Sequence, residues 1–188
     1  MLARIGIGLT LAALAACGSN SDDVALENVS LQEAAGKAQA AIKLQPGQWQ
    51  TTATIGELSM PGAPPEVQAA IGKSVARTNT VADCVTPEEA ANPSAQMLTG
   101  GQGGQCRYEN FSMNGGRMNA VMICSQPGQP GEMRATLTGS YAPTQYTMDM
   151  AMKMALPGIA TGATGEQGMS MTARIAGKRL GECAAGAS

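Results

Sequence analysis

Met148, Met150, Met152 and Met154 alternate along one stretch of the chain, and Met169 and Met171 repeat the spacing farther on. Alternation at period two puts the side chains of each set on one face of an extended strand. Such a face suits three kinds of chemistry. Thioethers fill irregular interiors, they select Cu(I) among the first-row ions, and a deformable methionine-lined hollow accepts apolar ligands of varied shape. The chain has one Trp, one Phe and three Tyr in 188 residues, so something other than aromatic rings must fill its interior, and packing is the plain reading. Copper demands more, because successive sulfurs on one strand stand about 6.7 Å apart and need a neighbouring strand to complete a site. The ligand reading takes the six methionines, together with Trp49, as candidate lining residues.

The histidine count is zero. That removes imidazole bases, Ser-His-Asp and Cys-His nucleophile pairs, and every His-containing metal site, Cu(II) sites among them. Glu88 and Glu89 are explained by a helix start, and Asp149 with Lys153 by a solvated strand face, so no carboxylate pair stands out for glycoside hydrolysis. Gly100-Gly101-Gln102-Gly103-Gly104 lacks the Lys-Ser/Thr of a phosphate loop and reads as a connecting loop. A formal charge of −2 supplies no field to hold nucleic acid. The chain therefore reads as a non-enzymatic protein with no catalytic residues, no assigned metal ligands and no cofactor.

Five cysteines divide into one and four. Cys17 closes an apolar run, Ile5 to Leu14, that follows a single basic residue, Arg4. Leu14-Ala15-Ala16-Cys17 is similar to the lipobox of bacterial lipoproteins, which implies removal of residues 1–16, lipidation of Cys17 and a durable membrane anchor. Gly18 follows the cysteine where Asp would favour inner-membrane retention, so outer-membrane attachment facing the periplasm is expected. Cys84, Cys106, Cys124 and Cys183 remain, an even number in an exported chain and without a C-x-x-C pair, which predicts disulfides. Asn114-Gly115-Gly116 between two strand-like runs is a hairpin signal, and a turn centred on Gly115 sets Cys106 opposite Cys124. That pairing leaves Cys84 with Cys183. A one-residue change of register weakens it, and the pairing of Cys84 with Cys106 and of Cys124 with Cys183 stays open.

The elements that must position these residues follow from local pattern. After a polar tether at 18–23, apolar residues from Val24 fall mostly at helical spacing, and Ser30 with Glu33 forms a capping box, predicting a helix over 31–43. Strands are predicted over 48–58, 75–85, 106–113, 117–124, 132–140, 145–156 and 169–175, with short helices over 66–72 and from Thr86-Pro87-Glu88-Glu89. The later strands are apolar on one side and polar on the other, as in an antiparallel sheet over a core. The expected fold is mainly β (α+β): a meander of about seven strands curled into a partial barrel or a sandwich, with short helices on the N-terminal side. Domain organisation follows as a signal over 1–16, a lipidated tether and helix over 17–44, and a disulfide-stabilised β domain over 45–188.

Pro46-Gly47-Gln48-Trp49, Cys84-Val85-Thr86-Pro87-Glu88, Cys106, Cys124, Thr147-Met148-Asp149-Met150 and Gly177-Lys178-Arg179-Leu180-Gly181-Glu182-Cys183 stand in an order that resembles the exported proteobacterial proteins grouped as domain of unknown function 3617. The resemblance covers about residues 45 to 183, with Glu182 where Asp is commoner and a Gly-rich loop before Cys106 that looks particular to this chain. It implies an exported, cysteine-bearing β domain and brings no activity with it. The expectation is thus an envelope lipoprotein whose β domain is structural or binds an apolar ligand such as a lipid. The alternative is a methionine-rich periplasmic Cu(I)-binding protein.

Overall fold

Alternating side chains become a ladder in the computed structural model, which describes residues 23–60, 63–75, 77–91, 105–125, 131–155 and 168–184. The segment expected to act as a signal, Cys17, residues 100–104 and the connection between the last two strands, 156–167, lie outside the described residues. In chain order the elements are β1 (Val24–Ser30), α1 (Leu31–Ala41), β2 (Gly47–Ser59), α2 (Pro65–Val75), β3 (Arg77–Val85), α3 (Pro87–Ala91), β4 (Gln105–Asn114), β5 (Arg117–Ser125), β6 (Glu132–Ala142), β7 (Gln145–Ala155) and β8 (Gly168–Gly181). The strands form one eight-stranded sheet in the order β1-β4-β5-β6-β7-β8-β2-β3, antiparallel throughout. The fold is mainly β, with a meander from β4 to β8. It is one unclosed sheet and not two packed ones, and it has eight strands where the sequence pattern predicts about seven.

The additional strand is β1. Val24 and Leu31 are seven residues apart, which reads as helical, but Val24 and Leu26 are spaced for a strand and face Met113 and Phe111 on β4. Asn28 takes φ 53°, a left-handed conformation that Asn tolerates better than most residues. It has no partner in the ladder, so Val29 also turns inward and sits opposite Tyr108. Asn28 Oδ1 accepts a hydrogen bond from Arg107 at 3.3 Å.

α1 begins where the capping box places it, with Glu33 N donating to Ser30 Oγ at 3.2 Å. Its buried face is Leu31, Ala34, Ala35, Ala38 and Ala41. Small side chains let the helix lie close on the sheet, where most of them join Tyr108, Phe111, Met113, Met118, Met122 and Leu137 in one core cluster. α3 is capped reciprocally: Glu89 N donates to Thr86 Oγ1 at 3.2 Å, and Thr86 N donates to Glu89 Oε2 at 2.9 Å. Those bonds from Thr86, backbone first and then hydroxyl, hold the Glu89 carboxyl below its ordinary range.

The other face of the sheet is wet. Thr52 and Thr80 share a hydroxyl hydrogen bond at 3.1 Å and Ser140 and Thr147 another at 2.9 Å, while Arg174 pairs with Asp149 at 3.5 Å. Among the described residues no helix is long and apolar enough to cross a membrane.

Candidate ligand cavity

The apolar face is curved, because residues from distant strands line one space. Val81 of β3 and Met113 of β4, six places apart in the strand order, border the same cavity of about 360 Å³. Met118, Met148 and Ile175 extend the wall along β5, β7 and β8, and Ile42 and Leu44 reach in from the segment that follows α1. The mouth lies at the edge strand, where Val81 and Asp83 are exposed.

One wall is aromatic. The Tyr146 ring stacks on Trp49 with centroids 5.8 Å apart and planes 26° from parallel. Its hydroxyl shares a 3.0 Å hydrogen bond with Thr51. Gly177 makes this pose possible: a Cβ there would stand 2.2 Å from the Tyr146 ring. Trp49 is 3% exposed and its indole N–H donates to Gln45 O at 3.0 Å, so its single polar atom is satisfied while the ring supports Tyr146 from behind.

The segments that carry the family resemblance meet beside this wall. Arg179 Nε donates to Pro46 O at 2.7 Å, and the Arg179 guanidinium pairs with Glu182. The sulfurs of Cys84 and Cys183 lie at disulfide distance with Cα atoms 5.5 Å apart, joining the end of β3 to the chain just past β8. Thus the Pro46-Gly47-Gln48-Trp49, Cys84 and Gly177 to Cys183 segments form one corner that holds Trp49 in place.

Cys106 and Cys124 are opposed across β4 and β5, also at disulfide distance, with Cα atoms 4.0 Å apart. Two one-residue displacements produce that register. The turn is Gly115–Gly116, both at positive φ, with Asn114 opposite Arg117, and not a turn centred on Gly115. A bulge at Glu109 then shifts the pairing back by one before Cys106 is reached.

Of the seven residues singled out as ligand lining, Met148 borders the cavity and Trp49 stands behind its wall. Met150 faces Leu137 and Ala173, Met152 faces Ala135 and Met171, and Met154 faces Met133 and Met169. All six of the methionines are half-buried. The lining residues that sequence reasoning misses include Ile42, Leu44, Val81, Met113, Tyr146 and Ile175. Tyr146 carried a signal, being the one aromatic residue on the alternating face of the methionine strand. Among the described residues no three cysteine, Asp or Glu side chains gather where they could hold a metal ion.

No curated protein and no solved structure matches the chain. Residues 44–183, most of its length, match the family described as Protein of unknown function (DUF3617). On that match the chain belongs to the DUF3617 family.

Proposed function

We propose that this protein is a non-enzymatic lipoprotein of the bacterial envelope, anchored through Cys17 on the outer membrane facing the periplasm, whose curled sheet takes up an apolar ligand such as a lipid acyl chain. The observation that carries the reading is the cavity of about 360 Å³, walled chiefly by Met, Ile, Leu and Tyr side chains and open at the edge of the sheet. Its size lies within the range of about 300–1,000 Å³ common for small-molecule sites, and a few polar groups among apolar walls is the usual composition. The lipobox-like Leu14-Ala15-Ala16-Cys17 supports the location, since an anchor there keeps the cavity beside a source of acyl chains.

Trp49 is the sole tryptophan and sits one ring behind the wall, which makes it an internal reporter. Titration with dibromostearic acid, whose bromines quench indole emission at short range, tests the proposal. Saturable quenching at one equivalent is expected. Ile175→Phe, which adds bulk to the cavity wall, should weaken binding roughly tenfold, a loss of about 1.4 kcal/mol. Trp49 emission that does not respond at saturation, together with native mass spectra free of adducts, would remove the proposal.

A further inference from the structure

The end of the concave face away from the cavity carries a second constellation. Met152 and Met154 on β7 stand directly opposite Met171 and Met169 on β8, so four methionine positions occupy the corners of a rectangle. Opposed Cβ atoms on adjacent strands are about 4.5–5.5 Å apart, and successive same-face positions on one strand about 6.7 Å. The objection that sulfurs spaced along one strand cannot share an ion is therefore answered by the neighbouring strand. Met133 on β6 faces Met154 from the other side, and Cys124 on β5 faces Met133, which continues a row of sulfur-bearing residues across the sheet. Met side chains have three rotatable bonds, enough freedom for several sulfurs to turn toward one centre. All four corner residues and Met133 are half-buried, so a solute can reach them without unfolding the core.

We propose that Met152, Met154, Met169 and Met171 form a binding site for a soft monovalent cation, Cu(I), separate from the ligand cavity. Thioethers are uncharged and polarisable, and they favour Cu(I) over harder ions. A chain without histidine lacks the imidazole that would draw in Cu(II) or Zn(II), so the site is selective by ligand type. Half-burial on an apolar face suits a low-charge ion that leaves its water behind.

The test uses the full chain with both disulfides intact and any free thiol alkylated. It is titrated anaerobically with Cu(I) against a chromogenic Cu(I) chelator, with ascorbate as reductant. One Cu(I) per chain and an all-sulfur coordination sphere by X-ray absorption are expected. Met154→Leu should weaken binding at least tenfold, and replacing all four corners by Leu should abolish it. Leu for Met conserves volume and is well tolerated in cores; should the fourfold variant not fold, Met154→Leu and Met171→Leu singly carry the comparison. Met122→Leu, in the helix-covered core, should bind as wild type does. No uptake by the wild-type chain, or equal uptake by the corner variants, would overturn the site. The dibromostearic acid titration of the cavity is independent of either result.

Discussion

One sheet has two interiors. Along β4, β5 and β6 the concave face lies under α1 and holds the buried apolar strand residues other than Trp49 and Ile123, Met113 at 0% exposure among them. Along β7, β8 and β2 the same face is largely apolar, yet, Trp49 apart, its described side chains remain half-buried. Methionines line both halves; what differs is that the buried alanine face of α1 joins the core of the first. Met113, Met118 and Met122 are buried in the cluster that the alanine face of α1 joins, whereas Met148, Met150 and Met152 have the same pattern and pack against that cluster only half-buried, Met148 bordering the cavity. A methionine stripe in a sequence thus specifies which way side chains point, and the element packed over them decides how deeply they are buried.

The largest test of this contrast is removal of the disulfides one at a time. Cys84 and Cys183 are 99 residues apart and tie the edge strand of the less buried half; Cys106 and Cys124 are 18 apart inside the half under α1. Loop-closure entropy gives the long staple about 4–5 kcal/mol of stabilisation and the short one about 3 kcal/mol. Urea unfolding of Cys84→Ala/Cys183→Ala should show the greater loss, with hydrogen exchange opening first in β2 and β3. A greater loss from Cys106→Ala/Cys124→Ala would mean that the less buried half stands without its staple, and the contrast would fail.

Paired alanine substitutions sharpen the comparison at the next scale. Met113→Ala should cost about 2–5 kcal/mol, the transfer of a buried side chain plus the cavity left behind. Met150→Ala, half-buried on the open side, should cost about 1–2 kcal/mol, since less apolar area returns to water. Equal losses in denaturant melts would show that β7 is packed as tightly as the helix-covered strands, and the contrast between the halves would fail.

Much of this arrangement was readable beforehand, and the exceptions share a cause. From β4 onward, alternation specified strand, face and neighbour together, because a meander pairs each strand with the next and a one-residue slip would expose its apolar set. The pairing of Cys106 with Cys124 came from the same arithmetic, although the Gly115–Gly116 turn and the Glu109 bulge each displace the register by one and offset one another. What stayed hidden depends on contacts between distant parts of the chain. β1 closes onto β4 across more than 70 residues, with Val24 opposite Met113, and nothing local announces a partner so remote. The cavity needs Ile42 and Leu44 from beyond α1 and Val81 from the opposite edge. No periodicity in one segment reports how far a sheet curls, so Met148 was recognisable as inward-facing while its role as a wall was not.

The smallest difference between the halves should emerge in alkali, at Tyr108. This residue is 4% exposed under α1, and burial raises its phenol above the ordinary tyrosine value. The sign follows from linkage: an acid whose folded value is raised holds its proton more firmly in the native state, so its contribution is complete below the unfolded value near 10. It is lost progressively as pH climbs through the higher folded value. Unfolding midpoints in urea should therefore fall above pH 10 in the wild type. The fall should be shallower in Tyr108→Phe, which keeps the ring against Phe111 and discards the titrating proton. Spectrophotometric titration should show one phenol ionising late, together with loss of the near-ultraviolet dichroism of the covered half. If Tyr108→Phe follows the wild-type curve, the helix-covered interior admits hydroxide or water as freely as the open one, and the distinction between the two halves would have to rest on side-chain volume alone.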